Sequence, residues 1–248
     1  MSGFSEAELR IFPDAEQMAA ETAQLFRTIS TSAGEPQHIC LSGGSTPLKL
    51  FKLLSAPPIR DHIDWEQLHF WWGDERCVPP EDDQSNYGQA HRILFSTIPI
   101  PETNIHPMRG DRDAEQESVR YARELERELP LRNGLPSFRL ILLGLGSDGH
   151  TASLFPGAFP PERREPAFPA RHPESGQMRI TLSPAVLNNG EELIYLVTGK
   201  GKAGVLKEIS TYGDSRPDPY PGAAVYARHG RTRWFLDEEL AAAAGVRG

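Results

Sequence analysis

The stretch LILLGLGSDGHTASLFPG, residues 140–157, decides the fold and narrows the chemistry. The apolar run over 138–143 reads as a strand buried on both faces, as in parallel sheets. It ends in a turn where Gly144, Gly146 and Gly149 satisfy the G-x-G-x-x-G spacing of a dinucleotide-binding loop. That reading requires a helix after Gly149, then a second strand carrying an acid about twenty residues on. Neither follows. Pro156 limits the helix, and Pro160, Pro161, Pro166, Pro169 and Pro173 interrupt what comes next, with Glu165 inside that segment rather than at a strand end. The glycines therefore serve a tight turn presenting Asp148 and His150 at a strand end. A histidine titrating near neutrality can act as a general base, and a neighbouring carboxylate can orient its ring. A turn closed by its own hydrogen bonds is the plainer alternative.

Working outward, residues 14–30 place Ala15, Met18, Ala19, Thr22, Leu25, Phe26 and Ile29 at helical spacing, with Asp14 as N-cap. Short apolar runs at 9–12, 38–41, 68–72 and 193–198 read as strands, as does the alternating run 178–182. Later strand candidates fall at 223–226 and 234–236. Helices are expected after SGGSTP, over 85–98, from about Lys202, and over 113–129, the last with Val119, Ala122, Leu125 and Leu129 on its buried side. The proline-rich segment 156–173 is expected to be a loop or lid. Strands alternating with helices predict an α/β fold: a Rossmann-like, mostly parallel sheet with helices on both faces, in one unit spanning 1–248. Ligands in such folds sit beyond the carboxyl ends of the strands. Four loops qualify there: SGGSTP, GDERCVP, GLGSDGH and TGKGKA.

In the first, Gly43 and Gly44 let the backbone turn tightly, Ser45 or Thr46 can cap the helix, and Pro47 suits its first turn. Amides at such a terminus bind anions, although a well-capped turn would look the same. No G-x-x-x-x-G-K-[ST] is present. In the second loop Arg76 offers a planar fork for a phosphate or carboxylate, and Asp74 and Glu75 can orient it or a nearby base. In the fourth, Lys202 opens a helix and adds a positive charge. Either loop alone could be a solvated surface turn.

The eight histidines show no H-x-x-x-H or H-E-x-x-H spacing, and neither C-x-x-C nor G-x-S-x-G occurs, so no metal site and no serine nucleophile are expected. A formal charge of -8 disfavours nucleic acid and anionic lipid as partners. The N-terminal residues show no leader, no apolar run approaches a membrane span, and Cys40 and Cys77 cannot staple a chain of 248 residues, so a cytoplasmic location is expected.

Taken in order, LSGGSTP (41–47), WWGDERCVPPEDDQSNY (71–87), LLGLGSDGHTASLFPG (142–157), RITLSPAVLNN (179–189) and VTGKGKAGVL (197–206) resemble the 6-phosphogluconolactonase family. Related glucosamine-6-phosphate deaminases look similar at three of these places. However, their Asp-Gly-His turn continues into an A-F-N-E-P-like segment with a further acid, where this chain has Thr151-Ala152-Ser153-Leu154-Phe155-Pro156. They also carry a D-E-Y form where this chain has G-D-E-R-x-V-P. The resemblance implies hydrolysis of 6-phospho-D-glucono-1,5-lactone in the oxidative pentose phosphate pathway, without cofactor. It further implies a fold like that of the deaminases and ribose-5-phosphate isomerases, with small additional strands. Gly43, Gly44, Ser45 and Thr46 would surround the substrate phosphate with Arg76 and Lys202 as cations; His150 would activate water, and Asp74 and Asp148 would orient groups around it. The partner would be a small sugar-phosphate lactone, bound by a monomer or small homo-oligomer. A deaminase-like enzyme, a non-catalytic sugar-phosphate-binding domain and a dehydrogenase are the alternatives.

Overall fold

Apolar residues at every position of a strand, rather than at alternate ones, leave both faces in need of cover, and the chain supplies it. The computed structural model describes residues 4, 6–32, 34–213 and 220–247. Its first half runs β1 (Glu8–Phe12), α1 (Ala15–Ser30), β2 (Gln37–Leu41), α2 (Ser45–Leu54), β3 (Leu68–Trp72), β4 (Asp74–Arg76), α3 (Asn86–Ala90), β5 (Ile105–His106) and α4 (Ala114–Glu128). Then come β6 (Leu131–Arg132), β7 (Leu135–Pro136), β8 (Leu140–Leu143), β9 (Ala167–Arg171), β10 (Met178–Leu182), α5 (Pro184–Leu187) and β11 (Glu192–Val197). The chain closes with α6 (Ala203–Tyr212), α7 (Pro221–Ala224), β12 (Arg231–Asp237) and α8 (Glu238–Ala244).

Seven strands form a parallel sheet in the order β1-β12-β11-β8-β2-β3-β5. Alternation along each strand sorts side chains to two cores. Ile39, Phe70, Trp72, Leu142 and Phe235 pack with Met18 and Phe26 of α1 and with Leu50 and Phe51 of α2. Cys40, Trp71, Ile141, Tyr195 and Trp234 face the other way, toward Tyr121 and Leu125 of α4, Leu206 and Ile209 of α6, and Leu240 of α8. Ile180 and Leu182 join this second core from a three-stranded antiparallel sheet, β4-β10-β9. Gly73 is the branch point, its N–H bonding Leu41 of the large sheet and its carbonyl accepting from Leu182 of the small one.

The α/β expectation holds, with local corrections. Asp14 caps α1, accepting from the Gln17 N–H at 2.8 Å. The 223–226 strand is not formed: Pro221 fixes φ at the first turn of α7 instead. Val119 is half exposed, because α4 turns Glu117, Ser118 and Tyr121 inward. Tyr121 Oη donates to the Trp72 carbonyl and accepts from its N–H, and Glu117 accepts from Arg109 N and Arg120, so hydrogen bonding outweighs apolar spacing. The expected 85–98 helix is α only through Ala90 and continues as one π turn, His91–Phe95. The proline-rich segment carries β9 at its end, Pro169 lying within it on the strand away from β4, where its missing N–H costs no sheet bond. No helix among the described residues is long and apolar enough to cross a membrane.

Candidate active site

The chain runs from β2 outward through β3 to β5, then returns to β8 beside β2 and builds in the opposite direction. The carboxyl ends of β2 and β8 thus flank a topological switch point, where open α/β sheets form their crevice. A cavity of about 220 Å³ lies there. Of the residues singled out from sequence, Gly43, Gly44, Ser45, Thr46, Asp74, Arg76, His150 and Lys202 line it. Asp148 does not, but it holds a residue that does.

The loop after β2 shows why glycine is needed. Gly44 is the cap residue of α2 with φ 104°, and no side chain caps that helix, so neither Ser45 nor Thr46 serves as its N-cap; both fall inside the first turn with their amides toward the crevice end. A Cβ on Gly43 would stand 1.8 Å from Asn86 Oδ1. We expect Gly43→Ala to displace Asn86 or the loop and to lower kcat/KM on the order of 10²-fold, because shifts of about 1 Å in a positioned site have that effect; steady-state kinetics beside a thermal melt would check it. Thr46 Oγ1 and Thr198 Oγ1 lie 2.9 Å apart and tie this loop to the end of β11. Lys202 stands at the entrance to α6; burial pulls its pKa down, the charge of Asp237 partly offsets this, and it has no ion pair among the described residues.

β4 is read by alternation. Asp74 and Arg76 face the cavity, whereas Glu75 turns to the opposite side and does not reach it. Its buried carboxylate accepts from the N–H groups of Arg76, Asn86 and Tyr87 at 2.7, 2.8 and 2.7 Å and from Ser85 Oγ at 3.1 Å. Burial pushes its pKa up to about 7, against the backbone bonds that stabilise the anion, with the charge of Asp74 adding to the rise. Glu75 thereby fixes the 85–87 turn and Asn86, whose Nδ2 donates to the Asp74 carbonyl at 2.9 Å. In Glu75→Gln an NH2 must face two donors whichever way the amide sits. Thermal or urea unfolding is expected to show a loss of about 1–3 kcal/mol; unchanged stability would remove this role.

Sequence reasoning singled out neither Asn86, Ser153 nor Arg179. Asp74 Oδ2 accepts from Ser153 Oγ at 2.7 Å and lies 3.9 Å from Arg179 Nη1. Arg179 lines the cavity and pairs in register with Arg76 across the β4–β10 ladder. The alternation of 178–182 was a signal for Arg179, since it puts Arg179 and Thr181 on one face; nothing local marks Asn86 or Ser153.

The turn after β8 is built around a ring. His150 Nδ1 lies 2.6 Å from Asp148 Oδ1, which also accepts the His150 N–H at 3.1 Å. A Cβ on Gly146 would stand 2.1 Å from that Nδ1 and 2.5 Å from Asp148 Oδ1, so glycine there makes room for the pair. Partial burial pushes the Asp148 pKa up, but the His150 backbone bond, its charge and its ring bond outweigh this and hold Asp148 below the usual value. An ionised Asp148 accepts a hydrogen bond from Nδ1–H, which keeps the ring proton on Nδ1 and leaves the lone pair on Nε2. Phe155 packs 5.2 Å from the ring. Among the described residues no three His, Cys, Asp or Glu converge as metal ligands.

The chain as a whole is similar to known proteins. A family profile described as glucosamine-6-phosphate isomerases/6-phosphogluconolactonase matches residues 13–234. A 6-phosphogluconolactonase of Haemophilus influenzae is 45% identical over 227 residues, 92% of this chain and 95% of that one. The structure of a 6-phosphogluconolactonase from Trypanosoma cruzi superposes with a TM-score of 0.83 at 27% identity, covering 98% of this chain and 97% of that one. A monomeric glucosamine-6-phosphate deaminase shares the fold at 17% identity, with a TM-score of 0.80 over 95% of this chain and 99% of its own.

Proposed function

The chain belongs to the glucosamine-6-phosphate isomerase/6-phosphogluconolactonase family, and on that premise we propose that its crevice hydrolyses 6-phospho-D-glucono-1,5-lactone to 6-phospho-D-gluconate, in the oxidative pentose phosphate pathway. The observation that carries the reading is the sharing of one cavity by His150, with its Asp148 partner, and the cations Arg76 and Lys202 beside the N-terminus of α2. The α2 amides, Lys202 and Arg76 hold the phosphate, which fixes the lactone ring against His150.

A δ-lactone is an activated ester, so a positioned water with a general base suffices to open it. The water oxygen bonds to C1, its proton passes to His150 Nε2, and the carbonyl pair moves onto oxygen. Collapse of this adduct breaks the bond from C1 to the ring oxygen, which takes the proton back from the imidazolium. Asp148 keeps Nδ1 protonated and stabilises the cation between these steps. Asp74 keeps neighbouring groups in place through Ser153 and Asn86. Where deaminases continue with a further acid, this chain places Ala152 on the cavity wall and Ser153 on Asp74.

The reading extends to one unit over 1–248 acting without metal in the cytoplasm, as a monomer or small homo-oligomer that binds no nucleic acid; free Cys40 and Cys77 support the cytoplasmic setting, and the charge of -8 supports the exclusion of nucleic acid. The deciding assay is lactone hydrolysis against the spontaneous background, with ammonia release from glucosamine 6-phosphate as the control for the deaminase alternative. Lys202→Ala and Arg76→Ala are expected to raise KM for the phosphorylated lactone by roughly tenfold to a hundredfold each, since a charge-assisted hydrogen bond contributes about 1.5–3 kcal/mol. Equal KM values for phosphorylated and unphosphorylated lactone in the wild-type protein would remove both from this role.

A further inference from the structure

Lys200 and Lys202 leave one short loop in different directions. Lys200 Nζ meets Glu239 of α8 at 2.8 Å, with both side chains exposed, whereas Lys202 lines the cavity. The backbone turn at Gly199 separates them: its φ of 92° favours glycine, and its carbonyl accepts from the Lys202 N–H at 3.2 Å. No side chain caps α6, which starts from this turn.

The group that holds the turn comes from the neighbouring strand. β11 and β12 run parallel with Val197 opposite Leu236, so the 198–202 loop starts beside Asp237, the last residue of β12. Asp237 is buried, and its two oxygens serve two segments. Oδ1 accepts from the Leu240 N–H at 2.8 Å and caps α8, while Oδ2 accepts from the Gly199 N–H at 3.1 Å. A helix cap needs only one oxygen, which Ser or Asn would supply as well. The second oxygen and the charge are spent on the loop. That charge also favours the ammonium of Lys202 against the burial that disfavours it. One residue earlier, Thr198 meets Thr46 of α2, so the loop is tied to the anion cradle on one side and to Asp237 on the other.

Resting on the lactonase reading, we infer that Asp237 is a positioning residue for the phosphate site. It is not among the residues lining the cavity. It fixes the turn at Gly199 so that the Lys202 ammonium stands in the crevice, charged, where the phosphate arrives. The phosphate keeps its charge throughout the reaction, so this arrangement supports substrate and transition state alike and acts on KM more than on kcat.

The test compares hydrolysis of the phosphorylated lactone with that of unphosphorylated glucono-1,5-lactone in two variants that keep the α8 cap. Asp237→Ser retains one oxygen for Leu240 and has none for Gly199. Asp237→Asn caps through Oδ1 and turns an NH2 toward the Gly199 N–H. Both are expected to melt close to wild type and to raise KM for the phosphorylated lactone about fivefold to tenfold. Their kcat should stay within about twofold of wild type, and kcat/KM for the unphosphorylated lactone should not change. In a Lys202→Ala background either substitution is expected to add less than about twofold, because no ammonium is left to position. Unchanged KM in both variants overturns the assignment while the function stands. So does a loss shared by both lactones, or one that persists in full without Lys202, since a merely structural role would give that result. Wild-type protein that does not exceed the spontaneous rate overturns the function and this assignment together.

Discussion

His150→Ala is expected to lower kcat for lactone hydrolysis by roughly 10²–10⁴-fold, the usual worth of a positioned general base, while KM changes little. The split follows from the geometry. The imidazole shares the cavity with the groups proposed to anchor the phosphate but is not one of them, so its removal leaves those groups in place. Asp148→Asn provides an independent check: an amide can present its NH2 to Nδ1, which draws the ring proton to Nε2 and points an N–H at the water. That variant is expected to lose kcat with unchanged KM although His150 is still present. Near-wild-type turnover in the alanine variant would remove His150 from the base role. A kcat loss confined to His150→Ala, with Asp148→Asn unaffected, would remove only the orienting role of Asp148.

The second large effect is on acid stability and arises at the other end of the sheet. His38, the second residue of β2, is buried beside Trp71, whose Nε1–H donates to His38 Nδ1 at 3.1 Å. His69 of β3 lies 5.0 Å from it ring to ring, and its Nδ1 lies 3.0 Å from His106 Nε2 of β5; His106 in turn reaches Glu124 of α4, which pairs with Arg120. Burial lowers the His38 pKa to about 3, and the charges of His69 and His106 push the same way; burial likewise lowers His69. The unfolded chain therefore binds more protons than the folded one between about pH 6.5 and 3, and stability is lost as pH falls through that window. Within it a fully shifted histidine contributes about 1.4 kcal/mol per pH unit, or about 3 kcal/mol by pH 4.5, a large part of the roughly 5–15 kcal/mol typical of a folded protein. Urea unfolding across this range should show the slope. His38→Gln keeps an acceptor for Trp71 but cannot titrate, so its slope should be shallower; an identical slope would place the acid sensitivity elsewhere. The crevice lies at the opposite strand ends, so this effect should change unfolding without changing KM.

What local sequence could and could not reveal divides along a physical line. Runs such as 38–41, 68–72 and 138–143 announced strands, because a segment apolar at every position has few other stable arrangements. Glycine-rich loops announced their turns, because φ near +100° at Gly44 excludes most other residues. The four loops that carry Gly43 to Thr46, Asp74 and Arg76, His150, and Lys202 were thus legible, and so was their meeting place, since a parallel sheet collects its strand ends along one edge. Helix faces were less legible: Val119 fitted the apolar spacing of α4, but Tyr121 and Glu117 found backbone partners and turned inward instead. The segment 223–226 reads as a strand, but Pro221 starts a helix that runs through Ala224.

The sequence by itself therefore determined the α/β architecture, a crevice beyond the carboxyl ends of the strands and the residues whose chemistry is written in a short motif. Only the tertiary structure decided which side chains serve those motifs from a distance: Asn86 filling the space that Gly43 leaves, Glu75 turned away to hold Asn86, Ser153 bonded to Asp74, and Arg179 set opposite Arg76. The reason is that strand and turn preferences are settled by neighbours along the chain. The pairing of a buried charge or the register of two strands about a hundred residues apart is settled by which groups meet when the cores close, and no local pattern encodes that meeting.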